Sequence, residues 1–206
     1  MPSNVLFLGI TIFAIVLLLT AGITSVLGAE YIFDSEAYNK EESARSAHRN
    51  LTIAASLGWS AVIVLGVVLL VAGISGDFSS GDISEALLSK QNLSSADLKA
   101  LWKGERELQG AQTTQIVLLI VLIMVAIVTL AVGVLAAYAA YEISQVKNQD
   151  TDSRAAYTQS IIAAVSGAGG IALMIVSVIV YVGIKTMRDN ELEKIKSIEK
   201  QEGVVK

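Results

Sequence analysis

Residues 116–140 read IVLLIVLIMVAIVTLAVGVLAAYAA, a run without a single charged residue. At about 1.5 Å per residue, such a run forms a helix of roughly 37 Å, which is longer than the ~30 Å hydrocarbon core of a bilayer. Comparable charge-free runs occupy residues 5–28, 51–74 and 161–184. We therefore predict four transmembrane helices that pack as one all-α integral membrane bundle.

The composition of the chain excludes a soluble enzyme. Of the 206 residues, 53% are hydrophobic and 17% are charged, whereas a soluble domain has about 25% charged residues. The net charge of −4 gives no reason to expect nucleic-acid binding, which depends on clustered Lys and Arg. The lipid bilayer is the partner that this composition predicts.

The residue types needed for most chemistry are scarce. The chain has no cysteine and one histidine, His48, so disulfides and thiolate metal sites are excluded. None of the four runs contains Asp, Glu, Lys, Arg or His, the residues that mark ion or proton paths inside membranes. We therefore predict no catalytic site, no metal site and no cofactor, and a protein that is not an enzyme.

Small residues recur four positions apart in the runs. This spacing places them on one helix face and lets neighbouring backbones approach closely. The predicted helix-packing residues are Thr20, Thr24, Gly28, Ala54, Gly58, Gly133, Ala137, Ala163, Gly167 and Gly170. Their densest group, residues 166–170, is interpreted as a crossing point inside the bundle; a hinge or a contact with another subunit is the alternative.

The distribution of Lys and Arg predicts the orientation. An even number of spans puts both termini and the middle loop, residues 75–115, on one side of the membrane. That side carries most of the 15 Lys and Arg residues, so we expect N-in/C-in topology, with the loop and the tail 185–206 in the cytosol. Aromatic residues cluster at the opposite ends of the runs, as in an interfacial belt: Tyr31, Phe33, Tyr138, Tyr141 and Tyr157.

The cytosolic segments contain helix signals. Ser94 with Asp97 resembles an N-terminal cap, so we predict a helix from Ser95 to about Gln109, preceded by a shorter one from Asp82 to about Lys90. One apolar face of the longer helix carries Leu98, Leu101, Trp102 and Leu108. We interpret this face as a cover for the cytosolic end of the bundle, with docking on a partner protein or binding in the membrane interface as alternatives. The tail is predicted to continue the last span as a solvated helix to at least Ile195.

The two halves of the chain share one plan of span, short polar loop and span. An offset of 109 residues aligns Ser35 with Ser144, Arg45 with Arg154, and Ala54-Ala55 with Ala163-Ala164. This pattern favours a tandem repeat of a two-span unit; chance matching of apolar segments is the alternative.

One stretch resembles a known group of proteins. Ser43-Ala44-Arg45 leading into residues 51–59, LTIAASLGW, is similar to small multi-span structural membrane proteins of large icosahedral DNA viruses. The resemblance covers a small part of the chain and carries no residue-level site. It implies a protein of an internal virion membrane that ties this membrane to the capsid.

The leading functional hypothesis is a structural or scaffolding membrane protein. We expect it to associate laterally, with other membrane proteins or as a homo-oligomer, or to anchor a coat or capsid layer. The alternative hypothesis is an oligomeric channel or permeability protein lined by Ser/Thr helix faces, because a pore does not require charged side chains.

Overall fold

The computed structural model describes residues 3–74, 95–147 and 149–201. These residues form the helices α1 (Ser3–Asp34), α2 (Glu36–Lys40), α3 (Glu42–Ile74), α4 (Ser95–Ser144) and α5 (Thr151–Gln201). All except the short α2 are long and apolar enough to cross a membrane. The predicted all-α bundle of four spanning helices is therefore confirmed.

The four long helices form a ring of antiparallel neighbours. Helix α1 packs against α3 and α5, and α4 packs against the same two helices. Contacts between distant residues fix the directions, since Gly22 approaches Gly58 and Thr11 approaches Ser177. We call the end with the short links 35–41 and 145–150 the hairpin end, and the opposite end the stalk end.

The bundle is apolar both inside and outside. Large side chains that include Phe7, Leu18 and Met174 are fully buried in its core. On the outer surface, Phe13 and Val165 are each 67% exposed. Helices that are hydrophobic all round belong in a membrane or in the core of a large protein, and this outer surface suits lipid.

The helices extend beyond the charge-free runs. Helix α1 continues to Asp34 and α3 already begins at Glu42. Helix α4 begins at Ser95, as predicted, but it continues without a break to Ser144. The predicted end near Gln109 is therefore wrong, because polar residues outside the bilayer still make i→i−4 hydrogen bonds and no proline interrupts them. The predicted helix from Asp82 to Lys90 lies outside the described residues.

The tail forms part of a paired extension at the stalk end. Helix α5 runs to Gln201, which confirms a helix to at least Ile195. Leu192 and Ile195 are buried, so the tail is not simply a solvated extension. Gln112 on α4 donates a hydrogen bond to Asp189 on α5 at 3.2 Å. We call α4 residues 95–115 together with α5 residues 185–201 the stalk.

The starts of two helices are separated by the same 109 residues as the matching segments of the sequence. Helices α3 and α5 begin at Glu42 and Thr151, which are separated by the same 109 positions as Ser35 and Ser144. Each of these serines donates its hydroxyl to the carbonyl three residues earlier, at 2.7 Å and 2.6 Å respectively. These matches support the tandem-repeat interpretation.

Candidate functional site

The first helix crossing joins α1 and α3. A Cβ placed on Gly58 would lie 3.3 Å from the Cα of Gly22, so the two backbones are in direct contact. The indole of Trp59 lies beside Gly22, where a Cβ would stand 3.6 Å from Nε1. Gly58 belongs to the predicted packing residues, whereas Gly22 does not.

The second crossing joins α4 and α5 even more closely. A Cβ on Gly167 would lie 2.7 Å from the Cα and 2.9 Å from the N of Gly133. Real Cβ atoms do not approach backbone this closely, so Gly167 has no room for any side chain. The glycine-rich segment 166–170 thus contributes to a crossing between helices of the same chain.

Most of the other predicted packing residues also lie at contacts between helices. Gly28 is close to Leu51 on α3 and to Gln159 on α5, and Gly170 is close to Thr129 on α4. Buried residues complete this set: Thr24, Ala54 and Ala163.

Thr20 and Ala137 do not belong to the packing surface. Thr20 is partly exposed and donates its hydroxyl to the carbonyl of Val16 in its own helix. Ala137 is exposed, while its neighbour Ala136 and also Ala140 are buried. A shift of one residue rotates a side chain by about 100° around the helix, so Ala137 faces outward where Ala136 faces the core.

Hydroxyl groups provide the buried polarity of the spans. Within the four runs, as far as the structure describes them, the buried polar side chains are Thr11, Thr24, Ser25, Thr129, Ser166 and Ser177. Thr11 lies 3.3 Å from Ser177 across the α1–α5 contact and also donates to the carbonyl of Phe7 at 2.8 Å. Such groups join helices but do not supply a titratable acid or base near neutral pH.

At the hairpin end, two backbone N–H groups donate hydrogen bonds to carboxylates of the other half of the chain. Glu41 accepts a hydrogen bond from the backbone N–H of Lys147 at 3.3 Å. Asp150 accepts one from the backbone N–H of Glu36 at 2.9 Å. Because each half accepts a backbone hydrogen bond from the other, the two links hold each other in place. Between them lies a polar cleft of about 700 Å³.

Asp150 also caps α5. Its Oδ1 accepts the backbone N–H of Ser153 at 2.7 Å, in the position of an N-terminal cap three residues before its donor. Hydrogen bonding by Ser153 and by the backbone N–H of Glu36 stabilises the carboxylate and lowers the pKa of Asp150, against the opposing effect of desolvation. The sequence Asp150-Thr-Asp-Ser153 contains this capping signal, although Asp150 is not among the predicted site residues.

The predicted interfacial helix is part of α4. Leu98, Leu101, Trp102 and Leu108 lie in its helical backbone, and their side chains are outside the described part of the structure. Since α4 continues directly into the third span, this segment is not a separate helix lying flat on the membrane. Whether its apolar face covers the bundle or meets a partner stays a prediction.

Comparison with protein-family models, curated proteins and solved structures finds no match. The class of protein therefore follows from the fold alone. The chain is a multi-pass membrane protein whose four spanning helices form an antiparallel bundle. Its described surfaces are the helix crossings, the hairpin end, the stalk and an apolar outer face.

Proposed function

We propose that the chain is a structural or scaffolding protein of a membrane, which associates laterally or anchors a coat or capsid layer. The stalk is the feature that supports this proposal best. From Ile184 to Gln201, α5 continues helically for roughly 25 Å at the usual rise, and Gln112 connects it to α4. A paired helical projection offers a peripheral protein a stiff attachment surface.

The orientation of the proposed anchor follows from charge. Lys and Arg are more frequent on the stalk side of the sequence, so the positive-inside rule puts the stalk in the cytosol. A cytosolic stalk would meet a coat or capsid layer there, as the resemblance to virion membrane proteins implies. The same bundle surface would remain available for lateral association within the bilayer.

Co-purification from native membranes tests the anchoring role. We expect a coat or capsid protein to elute with the full-length chain after mild solubilisation. Met187 is 61% exposed on the stalk, so Met187→Glu should reduce this recovery without lowering the melting temperature. Thr158→Glu changes an exposed position on the same helix at the hairpin end, outside the stalk, and is the matched control. Recovery of membrane lipids alone would contradict anchoring.

An oligomeric channel is the second candidate, and one observation favours it. Thr52, Ser56 and Ser60 form an exposed hydroxyl stripe on α3, four residues apart. Each hydroxyl donates to the carbonyl four residues earlier, at 2.8–2.9 Å. Several copies around an axis could line a pore with this stripe. Selective ion flux in liposomes, reduced by Ser60→Leu, would support the channel and contradict a purely structural role.

A further inference from the structure

An outer groove between α1 and α3 differs from the rest of the surface that faces lipid. It has a volume of about 460 Å³ and lies between Val26 on one helix and Ser56 on the other. Ala29 and Ala55, which are 7% and 6% exposed, form a smooth floor. Trp59, which is 42% exposed, closes the groove towards the middle of the span, where its indole lies against Gly22.

The groove has the depth of one membrane leaflet. His48 lies at its hairpin end and Trp59 at its deep end. Their separation along α3 corresponds to roughly 16 Å of helix rise, about half of the ~30 Å hydrocarbon core. A lipid in one leaflet could therefore occupy the groove along its whole length.

The hairpin end of the groove presents hydrogen-bond acceptors. The Nδ1 of His48 lies 3.0 Å from the carbonyl oxygen of Ala29. Because a carbonyl can only accept, Nδ1 carries the proton, and in that tautomer Nε2 is an acceptor. Glu30, an exposed residue, also lines the groove. No Lys or Arg occurs among the described residues that line the groove, so its chemistry suits a donor and not a phosphate.

The aromatic residues around His48 position its ring. The ring centroids of Phe33 and Tyr38 are 5.6 Å and 5.3 Å from that of His48, and 4.8 Å from each other. Rings in such close mutual contact leave no central space for a quaternary ammonium, which aromatic cages would hold against their faces. The cluster therefore fixes the imidazole and does not form a choline cage.

A second outer groove, between α4 and α5, provides an internal comparison. It is lined by apolar side chains that include Ile123, Ala126 and Ile175. Since the described residues that line it supply no polar side chain, it can distinguish lipids by shape alone. The α1–α3 groove combines an apolar body with an acceptor at one end, which is the pattern of a site that orients its ligand.

We propose that the α1–α3 groove binds a membrane lipid of the sterol class, which has a rigid apolar body and a single hydroxyl group. The hydroxyl donates a hydrogen bond to Nε2 of His48, and the flat ring system lies on Ala29 and Ala55. A rigid ligand loses little conformational entropy on a preformed surface. This inference is independent of the scaffolding role, because a scaffold or a channel could equally carry such a site.

Photolabelling tests the site in the full-length protein. The probe is a photoreactive sterol analogue in phosphatidylcholine vesicles, and labelled peptides are identified by mass spectrometry. We expect saturable labelling of α1 and α3 that unlabelled sterol displaces. Ser56→Leu puts a larger side chain into the groove and should weaken labelling by about tenfold, equivalent to about 1.4 kcal/mol. Ser60→Leu is the matched control, because Ser60 is exposed but does not line the groove.

A second variant tests the hydroxyl contact. His48→Phe keeps a ring in the aromatic cluster and removes the acceptor. The wild type should bind the sterol more tightly than its methyl ether, and this preference should disappear in the variant. Labelling that does not saturate, or that spreads equally to the α4–α5 groove, would overturn the proposal. Equal loss in both serine variants would overturn it as well.

Discussion

Gly167 lies against the backbone of Gly133. A Cβ atom added to Gly167 would be only 2.7 Å from the Cα of Gly133. A methyl group there must push α4 and α5 apart, since a helical backbone cannot yield like a flexible side chain. We therefore expect Gly167→Ala to lower the free energy of unfolding by about 1–3 kcal/mol, the usual range for overpacking. Thermal or denaturant unfolding in detergent measures the change.

Gly183 is the natural control for this substitution. It lies on the same helix, and a Cβ placed there would meet no atom within 4 Å. Gly183→Ala should be neutral or slightly stabilising, because alanine is the better helix former by up to about 1 kcal/mol. Equal destabilisation by both variants would show that backbone contact at the crossing is not the cause.

Asp150 provides a prediction with a defined dependence on pH. Its pKa is lowered in the folded protein by hydrogen bonds from Ser153 and Glu36, so folding favours the ionised form. The resulting stabilisation is present above the unfolded pKa of about 3.9 and is lost as the pH falls through the lower folded value. Asp150→Ala should therefore cost about 1 kcal/mol at neutral pH, typical of a lost helix cap.

The pH series separates the charge of Asp150 from its capping geometry. The difference in stability between wild type and Asp150→Ala should shrink in acid below about pH 4. Asp150→Asn keeps a capping oxygen without the charge, so it should retain much of the cap and show less dependence on pH. A constant difference between wild type and Asp150→Ala down to pH 3 would argue against the proposed role of ionisation.

At the residue scale, the sequence predicts which face of a helix packs, but not which residues of the neighbouring helix that face contacts. A four-residue spacing of small side chains correctly placed Gly58 and Gly167 on packing faces. It could not identify Gly22, because the need for a glycine there comes from the crossing helix α3 and not from the neighbouring residues in the sequence. It also could not exclude Ala137, since in a membrane protein the outward face is apolar too.

At the scale of helices, hydropathy locates the membrane-spanning segments but does not predict where the helices begin and end. The charge-free runs locate all four spans, yet α4 begins at Ser95 and α5 continues to Gln201. Continuation depends on backbone hydrogen bonds and on pairing between distant segments. The contact of Gln112 with Asp189 has no signature in either local sequence.

The stalk should behave as one cooperative unit. Ile195 is fully buried, so Ile195→Ala removes apolar contacts that normally contribute about 2–5 kcal/mol in a protein core. We expect amide exchange around Gln112 on α4 to accelerate by at least about tenfold, although the substitution is on α5. Hydrogen exchange with mass spectrometry measures both segments.

An exposed position on the stalk provides the control. Met187 is 61% exposed, and Met187→Ala should leave exchange in α4 unchanged. If Ile195→Ala accelerates exchange in α5 alone, the two helices of the stalk are not energetically coupled.

For the whole molecule, the absence of cysteine permits a direct test of helix arrangement. The hydroxyls of Thr11 and Ser177 are 3.3 Å apart across α1 and α5, so cysteines at both positions should crosslink rapidly under mild oxidation. Thr11→Cys with Ser160→Cys is the control, since Ser160 is also buried on α5 but lies about 25 Å away by helix rise. Mobility on a denaturing gel reports the crosslink, and crosslinking of the control pair alone would refute the register of α1 against α5.

The antiparallel ring has an electrical consequence. Every helix carries a macrodipole, equivalent to about half a charge at each end, and each neighbour in the ring points the opposite way. The lengths match within each hairpin, with 32 and 33 residues in α1 and α3, and 50 and 51 in α4 and α5. The dipoles therefore nearly cancel, and the four runs contain no Asp, Glu, Lys, Arg or His. Because a membrane potential does work only on charge that moves through the field, we expect the bundle to respond little to voltage.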